Sequence, residues 1–176
     1  MKFLYIFIFT STSLAGPIQD ASEKYIREQF SQDTKIELHI LKLEKKMQSK
    51  TQALSKQKFF SNKLYYWQIS KSDSTIAYAF IDNVIGKSMP ITFMVIMGVG
   101  GNIINTTIIK YRESYGGEIQ NLGWLAQFNN RNNQSSYIVG KDIDGISGAT
   151  ISVNSVSKGI HKITILYSLI KNQLNE

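Results

Sequence analysis

Residues 91–111 read ITFMVIMGVGGNIINTTIIKY, and two folds compete for this stretch. A glycine cluster after an apolar run can be a nucleotide-binding loop, which would feed a helix and imply a parallel sheet. Gly98-Val99-Gly100-Gly101-Asn102 lacks that spacing, and the residues after it are β-branched rather than helical in pattern. The stretch therefore reads as a hairpin: a strand over 91–97, a glycine turn, and a returning strand over 103–111.

Working outward, residues 63–69 (KLYYWQI) and 75–81 (TIAYAFI) flank the turn-rich SKSDS, and residues 35–43 (KIELHILKL) alternate apolar and polar. Short strands joined by tight turns predict an antiparallel sheet. Helical spacing appears over residues 20–30, where Ala21, Tyr25, Ile26 and Phe30 share a face, and over the basic segment 44–55. A short helix is expected over 121–130. Val156, Ile160, Ile163, Tyr167, Ile170 and Leu174 form one stripe of a C-terminal amphipathic helix. His161 lies off that stripe and reads as a surface residue. Asp82 and Asp142 read as carboxylates of solvated loops. No repeat or linker interrupts the chain, so the expectation is one α+β domain: a mainly antiparallel sheet, flanking helices and a long last helix.

The 176 residues suffice for one core, and 43% of them are apolar. There are no cysteines and only two histidines, His39 and His161. Disulfides, iron–sulfur clusters, thiolate zinc sites and covalently attached haem are thereby excluded, and a histidine-rich metal site is not expected. Any electron transfer falls to an organic cofactor. The first twenty residues, MKFLYIFIFTSTSLAGPIQD, have a charged start at Lys2, an apolar run over 3–9 and small residues before Ala15. That is the form of a cleavable export signal over residues 1–15, leaving 16–176 as the mature domain. The formal net charge is +7, concentrated in residues 42–63. An exported basic chain points to an acidic partner or a membrane surface and away from nucleic acid.

Residues 144–152, DGISGATIS, run straight into the last helix. A helix start offers unpartnered amides and partial positive charge. Gly148 and Ala149 keep it uncrowded, and Ser147, Thr150 and Ser152 add hydroxyls. Chemistry alone leaves two readings here, a capped turn or a phosphate site.

Asp144 to Thr150, DGISGAT, resembles the flavinylation motif Asp-x-x-(Ser/Thr)-Gly-Ala-Thr of the FMN-binding domain family, which includes the C and G subunits of sodium-pumping quinone reductases and Rnf complexes. YRESYGGEI, residues 111–119, is similar to the family's Glu-Thr-Pro-Gly-Leu-Gly segment, and WLAQF, residues 124–128, to its aromatic-Gln-Phe element. The strands over 75–80 and 91–104 fall in the family's order, so the resemblance spans roughly residues 64–163.

The resemblance implies FMN joined by a phosphoester to Thr150, donated from FAD by a separate magnesium-dependent flavin transferase. It implies an exported electron carrier, periplasmic or otherwise outside the cytoplasmic membrane, working between a membrane-bound donor and an extracytoplasmic acceptor. The alternatives are a flavin-dependent reductase acting directly on a substrate and a non-covalent FMN-binding protein. No nucleophile–base pair stands at recognisable spacing, so an electron-transfer flavoprotein fits better than a stand-alone enzyme, with no catalytic residue assigned. Under the resemblance, Ser147, Ser152 and the Gly148, Ala149 and Thr150 amides hold the phosphate. Ser114, Tyr115, Gly116 and Gly117 shape the ring loop. Several roles keep two readings: Asp144 assists transfer or forms the turn; Trp124 and Leu125 face the ring or the core; Glu113 bonds ribityl hydroxyls or loop backbone; Arg112 complements the phosphate or pairs with Glu113; Lys141 lends charge or is solvated.

Overall fold

The computed structural model describes residues 16–174. The export-signal reading of residues 1–15 lies outside the described residues.

Five strands form one antiparallel sheet in sequential order: β1 (Lys35–Lys42), β2 (Lys63–Lys71), β3 (Ser74–Ile85), β4 (Pro90–Gly98) and β5 (Ile103–Lys110). The opening stretch is the expected hairpin, with Gly98 N–H donating to Asn102 O at 2.9 Å and Gly101 at φ 95°. The β2–β3 turn is tighter than the SKSDS cluster implied. Ser72 and Asp73 alone form it, both at positive φ, as a two-residue hairpin requires to match strand twist. β3 also runs four residues beyond the apolar pattern, to pair Ile85 with Pro90.

Strand alternation gives the sheet two apolar faces. One, with Trp67, Ile69, Ala77, Ala79, Ile81, Met94 and Ile96, is covered by α1 (Gly16–Gln29) through the fully buried Ile26. The other carries Tyr66, Tyr78, Phe80, Phe93, Val95 and Met97 and packs against α4 (Thr150–Leu174). The expected α4 stripe is buried throughout. The helix is also buried on a second side, where α2 (Lys45–Ser55) lies along it. At Gly159 a Cβ would stand 2.7 Å from Val84 Cγ1 and 2.9 Å from Phe93 Cζ, so glycine sets how closely α4 approaches the sheet.

Two expectations are corrected here. Asp82 is not in a loop: it lies on β3, on the α4 face, with its carboxylate 2.7 Å from Lys162 Nζ. Lys162 is wholly buried, donates to Lys58 O at 2.7 Å and stands 4.4 Å from the centre of the Phe59 ring. His161 is half-buried rather than on the surface, stacked on Tyr137 with ring centres 4.5 Å apart. Burial pushes its imidazole below the ordinary 6.5 and pushes the Tyr137 phenol up to about 12.

The expected helix over 121–130 is broken into pieces. A 3-10 turn (Gly117–Gln120), one α turn, α3 (Leu122–Leu125), and a second 3-10 turn (Ala126–Phe128) follow one another. Asn121 Oδ1 caps α3 by accepting from Gly123 N at 2.8 Å, and Trp124, Leu125 and Phe128 reach the core. Beyond it, Arg131 ties the polar loop together, donating to the carbonyls of Gln127, Ser136 and Asp142 at 2.6–2.8 Å.

Candidate functional site

Three segments far apart in the chain meet at the start of α4. They enclose an open cleft of about 550 Å³. The 144–152 segment contributes Gly148, Ala149, Thr150, Ile151 and Ser152. The chain leaving β5 contributes Glu113, Ser114 and Tyr115, and the β3–β4 loop contributes Lys87 and Ser88.

Local chemistry prepares the helix start. Gly148 has φ 79°, a left-handed conformation that suits glycine. It turns the chain so that Ala149 N donates to Ile146 O at 3.1 Å and Ala149 O accepts the first helical bond, from Val153 N at 2.9 Å. Ala149 has no side-chain oxygen, so it caps none of the first amides, and those of Thr150, Ile151 and Ser152 have no partner one turn back. The Thr150 side chain is exposed at the cleft, while Ser152 is buried.

Glu113 shapes the opposite wall. Its carboxylate accepts from Ser88 N at 2.7 Å, Met89 N at 3.0 Å and Ser88 Oγ at 3.1 Å. These bonds, the Met89 amide's first, hold it below the ordinary carboxylate range. Of its two readings, the bond to loop backbone is the one present. Gly86 makes room for this grip, since a Cβ there would stand 2.6 Å from Glu113 Oε1. Gly116, at φ 79°, lets the 111–117 loop lie on the helix start: a Cβ would come 3.0 Å from Ala149 Cβ. The Tyr111 hydroxyl donates to Tyr115 O and closes that loop. Tyr115 itself is 86% exposed beside the cleft.

Other predicted residues lie elsewhere. Trp124 and Leu125 take the core reading, 7% and 2% exposed. Trp124 nevertheless serves the motif, because its Nε1 donates to Asp144 O at 2.8 Å, while Gln127 Oε1 accepts from Asp144 N at 2.8 Å. The WLAQF element thus holds the backbone of DGISGAT in place. Arg112 neither lines the cleft nor pairs with Glu113; its Nη1 donates to Pro90 O at 3.0 Å and Thr92 Oγ1 at 2.9 Å. Ser147, Lys141 and the Asp144 carboxylate are exposed and outside the cleft lining, and Gly117 opens the 3-10 turn. Sequence reasoning missed Lys87, Ser88 and Ile151. The turn-forming GKS after a strand was the available signal for the first two.

Among the described residues no cluster of three histidine, aspartate or glutamate side chains could hold a metal ion, and no helix is long and apolar enough to cross a membrane. A search of curated proteins finds no match. Among solved structures, NqrC of Shewanella oneidensis superposes with a TM-score of 0.63 at 14% identity, over 92% of this chain and 99% of that one. At that identity the likeness establishes the fold. The sequence model of the FMN-binding domain matches residues 86–164, an interval that contains every segment of the cleft. Over residues 86–164 this chain is therefore similar to the FMN-binding domain family.

Proposed function

We propose that this protein is an exported electron carrier with FMN attached through a phosphoester to the Thr150 hydroxyl. The observation that carries the reading is the placement of that hydroxyl. It opens into a 550 Å³ cleft at the uncapped start of a 25-residue helix, inside the matched domain. The residues fit the group: small side chains at 148 and 149, free amides for a phosphate, and an exposed aromatic beside the cleft for a ring. Bound FMN would supply electron transfer that no side chain here can perform.

The rest follows from the chain's own groups. The amides of Thr150, Ile151 and Ser152, with the helix dipole, neutralise phosphate charge. Among the described residues Lys87 is the one cation in the cleft lining, and Glu113, committed to the β3–β4 loop, fixes where that lysine stands. No histidine or cysteine lines the cleft, so nothing there activates a threonine hydroxyl unaided. That supports modification by a separate flavin transferase, which would break the FAD pyrophosphate, join the FMN phosphate to Thr150 Oγ1 and release AMP. A membrane-bound donor and an extracytoplasmic acceptor complete the proposed relay.

Intact mass of protein produced together with a flavin transferase tests the linkage. An FMN-sized increment is expected for the wild type and Thr150→Ser, and none for Thr150→Ala. Flavin fluorescence should stay with the wild-type band on a denaturing gel. A flavin that washes away on denaturation would refute the covalent reading, and steady turnover of a small acceptor without a partner would refute the carrier reading.

A further inference from the structure

We propose that the trough between α2 and the 133–139 loop, floored by α4, docks an acidic segment of a partner protein with interspersed apolar residues. Two adjoining clefts, of about 350 and 330 Å³, share Leu54 and His161 and together follow α4 from Asn154 to Leu169. At 1.5 Å per helical residue the trough is about 22 Å long, the span of about seven extended residues.

Its chemistry selects the occupant. Lys50 from α2, Lys56 at its C-terminal cap and Lys158 from α4 line it, and among the described residues no aspartate or glutamate does. None of the three lysines is in an ion pair among the described residues. Asp142, which accepts the Ser136 hydroxyl behind the loop, does not line either cleft. Apolar contacts are also on offer: Leu54 and Ile138 are 57% and 56% exposed, and Ile165 and Leu169 sit deeper. A flat bilayer would meet Leu54 and Ile138 and leave Ile165 and Leu169 untouched. An extended chain alternating carboxylates with apolar side chains meets both sets.

The trough ends beside the cofactor cleft, since Asn154 Nδ2 donates to Thr150 O at 2.9 Å. A docked partner would therefore sit about one helical turn from Thr150. The docking itself does not depend on the flavin reading.

The test uses the full chain and a labelled peptide of about eight residues alternating glutamate and leucine, with a lysine–leucine peptide as control. Expected are salt-sensitive binding of the first peptide only, carbodiimide cross-links at Lys50, Lys56 or Lys158, and affinity lowered about tenfold in Lys50→Glu/Lys158→Glu. Both lysines are exposed, so the variant should keep the wild-type circular dichroism. Absence of binding, equal binding of the two peptides, cross-links confined to other lysines, or binding to phosphatidylglycerol vesicles without binding to the peptide would overturn the proposal.

Discussion

The Glu113 carboxylate grips the β3–β4 loop through two backbone amides and one hydroxyl, and pH can release it. Its folded pKa lies below the ordinary 4.5. The contribution is therefore complete above 4.5 and is lost as pH falls through the lowered folded value. Hydrogen exchange at the Ser88 and Met89 amides, corrected for intrinsic rates, should accelerate across that acidic window. In Glu113→Ala the same amides should exchange fast already at neutral pH. Unchanged protection in the variant would show that the loop is held by other contacts. At this scale the sequence marked Glu113 as a site residue, but its partners were hidden because they lie in another turn. The converse holds for Arg112, whose neighbour in sequence is Glu113 but whose side chain is drawn to Pro90 O and Thr92 across the β4–β5 pair.

At the scale of elements, α4 is registered on the sheet by two devices of different kinds. Gly159 removes the side chain that would hold α4 off Val84 and Phe93. The Lys162–Asp82 pair then joins helix to strand through a low-dielectric contact. Lys162→Ala strands a largely buried carboxylate and should cost about 3–5 kcal/mol in denaturant unfolding. The double change Lys162→Met/Asp82→Leu should recover most of that loss, because both desolvated charges leave together. Additive losses in the double-mutant cycle would contradict the coupling. Sequence reading stopped β3 at Ile81 because Asp82 and Asn83 break the apolar alternation. The pairing that keeps the strand going, and the lysine that satisfies Asp82, come from β4 and α4. The broken helix expected over 121–130 follows the same logic. Apolar spacing located it, but Asn121 capping and the packing of Trp124 and Phe128 split it into single turns.

For the whole molecule, α1 and α4 enclose the two faces of one meander, and His161 links that core to the Arg131-organised loop through Tyr137. Its folded pKa is lowered by burial, so the unfolded chain binds its proton first and stability falls as pH drops below 6.5. Glu113 and Asp142, both lowered, titrate below this window and do not mask it. The urea midpoint should therefore decrease from about pH 7 to about pH 5, and His161→Gln should remove part of that decrease. An identical decrease in the variant would exclude His161 as a source.

The sequence by itself determined the hairpin order of the sheet, the long last helix with its buried stripe, and the DGISGAT turn that starts it. Each of these depends on side-chain period and turn chemistry within about ten neighbouring residues. Only the tertiary structure decided that Lys87 and Ser88 face Thr150, that Trp124 and Gln127 serve the motif's backbone rather than the cleft, and that Asp82 belongs to Lys162. Those contacts arise where strand pairing and helix packing bring distant segments together, and no local pattern encodes which side chains then meet.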